Sequence, residues 1–211
     1  MRARFRLPLV YPITDTRISG LSHAEQVALF ADGGATLVQF RDKHASALEF
    51  YEQAKAALEV ANQRGVQLII NDRVDIVLAL GAAGVHLGQD DLPPEAARRL
   101  LGDDAIIGYS THSVAQIQTA ANSPIDYLAI GPVFPTSTKK NPDPVVGLDG
   151  VRLAREAIGD RPLVVIGGIS QTNARAVIQA GADSVALIRG LLANPQRIPE
   201  AVRSLLTAPG S

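Results

Sequence analysis

Eight short apolar runs recur along the chain and restrict it to few architectures. Each run is rich in Val, Ile and Leu, ends in glycine or polar residues, and is followed by a segment with helical spacing. Parallel strands covered on both faces have near-continuous apolar sequences, and single helices usually connect them. The pattern predicts parallel strands at residues 9–15, 37–42, 67–72, 84–89, 106–111, 127–133, 163–168 and 184–189.

The segments between the runs carry helical patterns. In residues 46–64, Phe50, Ala54, Leu58 and Ala61 fall on one face, as in an amphipathic helix. Helix starts are also marked, because Ser, Thr, Asn and Pro are typical of caps and first turns. Such residues stand at Ser46, at 93–94, at 170–172 and at 194–195.

Eight strand–helix units predict a single-domain α/β fold, the (β/α)8 or TIM barrel, over residues 1–211. The chain is short beside the ~250 residues typical of that fold. An open doubly wound sheet is the alternative, but the sequence has no glycine-rich dinucleotide or phosphate loop. No second domain is indicated, and residues 1–8 and 207–211 are expected to be frayed ends.

The composition restricts the partners. A formal net charge of −1 provides no general attraction to nucleic acid or anionic lipid, so neither is expected as a partner. The chain has no cysteine, which excludes disulfides, thiolate metal sites and thiol nucleophiles and fits a cytoplasmic location. No apolar run is long enough to span a bilayer, so no membrane role is expected. The sequence does not fix the oligomeric state and leaves a homo-oligomer open.

Polar residues cluster where the second to fifth strands end, which is the active-site face of a barrel. Asp72 and Asp91 would enter one mouth beside Arg41 and Lys43. Two carboxylates and two cations suit a Mg²⁺ ion that keeps coordination sites for substrate phosphate oxygens. Helix capping by the aspartates is the alternative reading. From the residues alone, Asp75 and Asp90 are also open as ligands.

The last two strands end in a different type of sequence. Gly167-Gly168 follows the seventh strand, and Ile188-Arg189-Gly190 follows the eighth. Loops at these places often bind a phosphate through backbone amides, which glycine allows to approach closely. Plain turn chemistry is the alternative.

The stretch VFPTSTKKNPDP, residues 133–144, lies between these two halves. Thr136 and Thr138 could donate hydroxyls to one anion while Lys139 reaches another, although a polar surface loop is the simpler interpretation. Two anion sites in one mouth, one of them with a metal, favour group transfer between two phosphorylated small molecules over hydrolysis.

Ordered motifs across nearly the whole chain resemble those of the thiamine-phosphate synthase family of (β/α)8 enzymes. The motifs are YPITD, QFRDK, IINDRVDI, GVHLGQDDLP, GYSTH, IGPVFPTSTKK, VVGLDG and IGGIS. The resemblance implies that an aminopyrimidine-methyl diphosphate loses diphosphate by a dissociative mechanism. The ring nitrogen of a thiazole phosphate then takes the place of the diphosphate, which gives thiamine phosphate.

The resemblance also implies roles for individual residues. It assigns the pyrimidine diphosphate to Gln39, Phe40, Arg41, Asp42, Lys43, Asn71, Ser110 and Lys139, with Arg41, Lys43, Lys139 and Ser110 as the catalytic set. It assigns Mg²⁺ to Asp72 and Asp91, and so prefers Asp91 to Asp90. It assigns the thiazole phosphate to Thr136, Ser137, Thr138, Gly168, Ile188 and Arg189.

Two positions depart from the family pattern, since Asp42 stands where glutamate is common and Arg189 where some members have serine. Two histidines are also of interest. His112 is a candidate to orient Ser110, with helix capping as the alternative, whereas His86 is expected to be a packed core residue.

Other functions remain open at this stage. They are a thiazole tautomerase of the related synthase-like type, a lysine Schiff-base aldolase that uses Lys43 or Lys139, and a non-catalytic regulator that binds thiazole or thiamine phosphate.

Overall fold

The computed structural model describes residues 5–136 and 143–207, and these form a barrel of eight parallel strands. The strands are β1 (Val10–Pro12), β2 (Leu37–Phe40), β3 (Gln67–Asn71), β4 (Gly84–Leu87), β5 (Ile106–Thr111), β6 (Tyr127–Ile130), β7 (Leu163–Ile166) and β8 (Ser184–Leu187). The strands pair in the order β1-β8-β7-β6-β5-β4-β3-β2. The predicted (β/α)8 architecture is confirmed.

A short contact between β1 and β2 brings the edges of the sheet together. Ile13 forms a parallel bridge with Gln39, and the Thr14 amide donates to the Gln39 carbonyl at 2.9 Å. The backbone groups of the two edge strands therefore find partners, and all strands end at one mouth.

Helices cover the outside of the sheet. They are α1 (Thr16–Ser19), α2 (His23–Asp32), α3 (Ala47–Gln63), α4 (Val74–Leu80), α5 (Pro94–Leu101), α6 (Val114–Ala120), α7 (Gly147–Ile158), α8 (Ala174–Gln179), α9 (Arg189–Leu192) and α10 (Ile198–Leu206), with a 3₁₀ turn at Pro195–Arg197. The helix predicted for 46–64 is α3, and Ser46 and Glu49 form a reciprocal capping box at its start.

Side chains alternate between two apolar layers. In β2, Val38 and Phe40 join the large layer between sheet and helices, whereas Leu37 belongs to a smaller cluster inside the barrel. Tyr127 crosses this interior and depends on Gly108, because a Cβ added at Gly108 would lie 2.0 Å from the Tyr127 Cζ atom. A strand glycine thus makes room for a large buried ring.

Several predicted element ends differ from the structure, and two of these differences have a clear local cause. The run at 184–189 was expected to be one strand, but β8 ends at Leu187 and α9 begins at Arg189. Ile188 lies between them with φ −115° and ψ −85°. The chain therefore turns at this residue, although the apolar sequence continues through it. The helix expected to start within 170–172 begins at Ala174, because the Asn173 side chain accepts the Ser170 amide and forms a turn before it.

Candidate active site

The mouth of the barrel brings together most of the charged residues predicted at the ends of β2, β3 and β4. Lys43 and Asp72 form an ion pair, and Asp91 interacts electrostatically with both. Arg41 lies at the same rim, with its guanidinium 3.5 Å from the carboxylate of Asp15. Cations and carboxylates therefore share a small region, as the sequence pattern indicates for this half of the mouth.

Asp72 has a strained backbone. Its φ is +65°, a left-handed conformation that residues with a Cβ seldom adopt, although Asp and Asn do so more readily than most. The Asp72 amide donates to the His86 carbonyl at 2.8 Å, which holds the conformation. Helix capping does not explain Asp72, because the N-cap of α4 is Arg73 and has no side-chain cap. Its carboxylate is instead directed to Lys43.

Asp91 is the second carboxylate of the mouth. One oxygen accepts the Gly88 amide hydrogen at 2.7 Å, which closes the loop after β4. Burial raises the pKa of Asp91, the Gly88 hydrogen bond opposes this, and the nearby Asp72 carboxylate raises it further. Such an arrangement favours a proton or a cation between the two aspartates.

The other two aspartates that the sequence left open have different surroundings. Asp75 is exposed and accepts a hydrogen bond from Arg73 Nε at 2.8 Å, and Asp90 is also exposed. Among the residues described, no group of three or more His, Cys, Asp or Glu side chains could hold a metal ion. A cation here would rest on two carboxylates and on ligands from outside the protein.

Asn71 precedes Asp72 and supplies a donor at the base of the mouth. Its side chain is 6% exposed, and its Nδ2 finds no hydrogen-bond partner within residues 5–136 and 143–207. A buried amide hydrogen without an acceptor costs about 1–3 kcal/mol. A ligand with an acceptor oxygen would satisfy it.

The Asp42 side chain stabilises the loop after β2 by accepting hydrogen bonds from the backbone of that loop. One carboxylate oxygen accepts the amides of His44 and Ala45 at 2.7 and 3.0 Å, and the other lies 3.4 Å from Nε2 of His23. Burial acts to raise the pKa of Asp42, but the two amides and His23 outweigh it and leave the pKa lowered. The side chain therefore shapes the segment that carries Lys43.

Phe40 lies outside the mouth. It is fully buried between the sheet and the helices, where its ring contacts Phe50 and His23 at centroid distances of 4.9 and 4.2 Å. The alternation along β2 explains this, because Gln39 faces the interior and the next residue faces outward. The structure does not bring the Phe40 side chain together with the other predicted site residues.

Ser110 contacts a histidine that the sequence assigned to the core. His86 Nε2 lies 2.8 Å from Ser110 Oγ, whereas His112 Nδ1 lies 2.9 Å from the Gly131 carbonyl. The expectation that His112 orients Ser110 is wrong, because the side chain of His112 is directed to the β6 loop. The alternation of β4 could have indicated His86, since Val85 and Leu87 face outward and His86 must face inward.

The phosphate loops predicted after β7 and β8 lie across the mouth. Gly167 and Gly168 have φ of +103° and +66°, and a Cβ on Gly168 would lie 2.5 Å from the Pro135 carbonyl. The Phe134 amide donates to the Gly167 carbonyl at 3.0 Å. The two glycines therefore allow the loop after β6 to pack against the loop after β7.

Four of the residues predicted to bind the second phosphate lie in the described part of the chain. Thr136 is partly buried next to the glycine turn, Gly168 is exposed, and Ile188 and Arg189 stand at the start of α9. Ser137, Thr138 and Lys139 lie outside the described residues. The glycine turn has a packing role of its own, so its phosphate-binding role stays a prediction.

Known proteins match this chain over most of its length. The family model for thiamine monophosphate synthase matches residues 10–191. A thiamine-phosphate synthase of Koribacter versatilis is 46% identical over 206 residues, which cover 93% of this chain and 95% of the relative. One of Chloroflexus aurantiacus is 43% identical over 185 residues, with 87% and 85% covered.

A structure of thiamine phosphate pyrophosphorylase from Pyrococcus furiosus is similar throughout. It superimposes with a TM-score of 0.83 at 36% identity and covers 93% of each chain. Within the described residues, no helix has the length and apolar character needed to cross a membrane. Family model, relatives and solved structure agree over most of the sequence: the chain belongs to the thiamine monophosphate synthase family, a family of transferases.

Proposed function

We propose that the protein joins two phosphorylated precursors to form thiamine phosphate. In this reaction the bond between the pyrimidine methylene carbon and the diphosphate oxygen breaks, and the thiazole ring nitrogen bonds to that carbon. The products are thiamine phosphate and diphosphate. The observation that carries the proposal is the group of Lys43, Asp72 and Asp91. It lies beside Nδ2 of Asn71, which has no hydrogen-bond partner in the described part of the chain.

The same group is suited to Mg²⁺. Asp72 and Asp91 are two neighbouring carboxylates, and Mg²⁺ is commonly held by one or two carboxylates together with substrate phosphates. Burial and the neighbouring Asp72 carboxylate raise the pKa of Asp91, although Lys43 acts against them, so further positive charge beside the pair would be favourable. When bound, Mg²⁺ would neutralise charge on the diphosphate and so make it a better leaving group.

The side chains around the carboxylates would bind the diphosphate. Arg41 and Lys43 supply positive charge to an oxygen that becomes more negative as the bond breaks, which is commonly the largest contribution in such catalysis. Asn71 and Ser110 supply neutral donors from the strand ends. Lys139, outside the described residues, is proposed to add a third cation. No protein nucleophile is needed, because the pyrimidine methylene carbon reacts as a cation.

The thiazole phosphate is proposed to bind at the other side of the mouth. Its ligands would be Thr136, Ser137, Thr138, Gly168, Ile188 and Arg189. Support comes from the position of the β7 and β8 loops, which bind phosphate in many barrels, and from the contact between the Gly167-Gly168 turn and the β6 loop. This division keeps the two anions apart and leaves the pyrimidine and the thiazole to meet between them.

The test is a product assay with purified protein, both phosphorylated precursors and Mg²⁺. We expect thiamine phosphate and diphosphate in equal amounts and no product after chelation of the metal. Isomerisation of a thiazole precursor without diphosphate release would select the tautomerase instead. Calorimetric binding of thiazole phosphate without any turnover would select the non-catalytic regulator. The cytoplasm remains the location that we expect.

A further inference from the structure

A chain of buried hydrogen bonds crosses the barrel interior and ends at Ser110. Gln39 Nε2 lies 3.3 Å from the Tyr11 hydroxyl, which lies 2.9 Å from the Tyr127 hydroxyl. The Tyr127 hydroxyl lies 2.9 Å from His86 Nδ1, and His86 Nε2 lies 2.8 Å from Ser110 Oγ. Five side chains from five strands thus connect one side of the mouth to the other.

The amide of Gln39 sets the direction of every bond in this chain. Its nitrogen can only donate, so the Tyr11 oxygen accepts from it. The buried Tyr11 hydroxyl still has its own hydrogen to place, and the Tyr127 oxygen is the acceptor beside it, so Tyr11 donates to Tyr127. Tyr127 then donates to His86 Nδ1, which must be unprotonated to accept. His86 therefore carries its hydrogen on Nε2 and donates it to Ser110 Oγ.

The surroundings keep each member in the form that this direction needs. His86 is buried and its two ring nitrogens each face a neutral hydroxyl group, which favours an uncharged ring with one hydrogen. Burial also raises the pKa of Tyr11 and of Tyr127, so both phenols keep their hydrogens. The two tyrosine rings pack edge to face at an interplanar angle of 85°, which keeps their hydroxyl groups within hydrogen-bonding distance.

Ser110 receives a defined role from this arrangement. Its oxygen already accepts the His86 hydrogen, so its own hydrogen is free to be donated, and the residue is half-buried at the mouth. We propose that Gln39, Tyr11, Tyr127 and His86 form a positioning relay. The relay fixes the Nε2–H tautomer of His86 and makes Ser110 a hydrogen-bond donor to the departing diphosphate. This step rests on the proposed function, whereas the tautomer does not.

Nuclear magnetic resonance of ¹⁵N-histidine protein tests the tautomer without any substrate. The chain has four histidines, and a His86→Gln variant identifies the His86 signals. We expect the hydrogen on Nε2 in the wild-type protein and a mixture of tautomers in Tyr127→Phe, which removes the donor to Nδ1. A wild-type His86 with its hydrogen on Nδ1 would overturn the proposal, since His86 would then donate to Tyr127 and accept the Ser110 hydrogen at Nε2.

Turnover measurements test the consequence for Ser110. Tyr127→Phe should lower kcat about tenfold, as expected for the loss of one hydrogen bond in the transition state, while the KM for thiazole phosphate stays unchanged. Tyr51→Phe is the matched control, because Tyr51 is partly buried against the outer layer, and it should leave kcat unchanged. His86→Gln keeps a terminal amide donor and should retain more activity than His86→Leu.

A double-mutant cycle separates the relay from a general packing effect. In a Ser110→Ala background, Tyr127→Phe should have almost no further effect on kcat, because the group that it positions is gone. If the two substitutions instead lower kcat independently, so that their effects add in the double variant, the relay is overturned. A wild-type protein that forms no thiamine phosphate would instead refute the proposed function, and the tautomer signal would still decide the direction of the chain.

Discussion

The hydroxyl of Thr14 lies 2.6 Å from Nδ1 of the buried His23 and also accepts the Arg41 amide hydrogen at 3.1 Å. Because His23 Nε2 lies 3.4 Å from the Asp42 carboxylate, a single imidazole on α2 contacts Asp42 directly and is linked to the Arg41 backbone through Thr14. The loop after β2, which we assign to the proposed diphosphate site, is therefore anchored to α2 behind it. Its charged residues are placed before any substrate arrives.

Removal of the Thr14 hydroxyl should loosen this anchor. Thr14→Val keeps the side-chain shape but leaves the Arg41 amide and His23 Nδ1 without a partner, which costs about 1–3 kcal/mol of unfolding free energy. Steady-state kinetics should show a several-fold rise in the KM for the pyrimidine diphosphate, with the KM for thiazole phosphate unchanged. Thr14→Ser is the matched control. Equal rises in both KM values would argue against a local effect.

His23 should make the protein sensitive to mild acid. Burial lowers the pKa of His23 below its ordinary value of 6.5, although Asp42 acts in the opposite direction. Below pH 6.5 the unfolded chain therefore binds a proton that the folded chain does not. The free energy of unfolding should fall with decreasing pH, by at most about 1.4 kcal/mol per pH unit from this residue.

Denaturant titrations between pH 7 and pH 5 check this pH dependence. His23→Gln removes the titrating group, so the unfolding free energy of the variant should depend less on pH than that of the wild type. His86 titrates in both proteins, and its contribution cancels in the difference. Parallel curves would show that His23 does not contribute.

Gly108 should be intolerant of even one methyl group. Its Cβ would lie 2.0 Å from Tyr127 Cζ, and the Tyr127 ring is buried in the interior cluster, so the ring or the backbone would have to move. We expect Gly108→Ala to destabilise the protein by about 3 kcal/mol or more, at the upper end for overpacking. In a Tyr127→Leu background, the same substitution should cost much less, because the shorter side chain leaves space for the Cβ. Thermal or urea unfolding of the four proteins measures this coupling.

The sequence predicted much of the fold because strands and helices leave local patterns. The apolar runs located all eight strands, and Ser46 marked the start of α3. The end of β8 was predicted too late, because the apolar run continues through a turn at Ile188 that only the backbone geometry reveals. Local sequence patterns therefore locate the strands and helices more reliably than they locate the residues at which these elements end.

The site was less predictable because it depends on contacts between distant strands. Asp72 and Asp91 could be placed at one mouth from their positions after neighbouring strands. The hydrogen bond between His86 and Ser110 joins β4 to β5, and the contact of Tyr11 with Tyr127 spans 116 residues. The orientation of Asp42 towards His23 likewise has no local signal. These contacts follow from the register of the barrel.

The carboxylate pair is the core of the proposed diphosphate site, and one substitution tests it directly. Asp72→Asn keeps the side-chain shape and tolerates the positive φ of +65°, since asparagine adopts this conformation more readily than most residues. Asp75→Asn is the matched control, because Asp75 is a neighbouring exposed aspartate paired with Arg73. Both variants are expected to fold.

The measurement is the rate of thiamine phosphate formation at saturating Mg²⁺, together with calorimetric affinity for thiazole phosphate. We predict that Asp72→Asn loses about a hundredfold or more in rate but retains its thiazole phosphate affinity, while Asp75→Asn matches the wild type. An Asp72→Asn protein that keeps the wild-type rate, or that loses thiazole phosphate binding to the same extent as turnover, would contradict the assignment of this carboxylate to the diphosphate side.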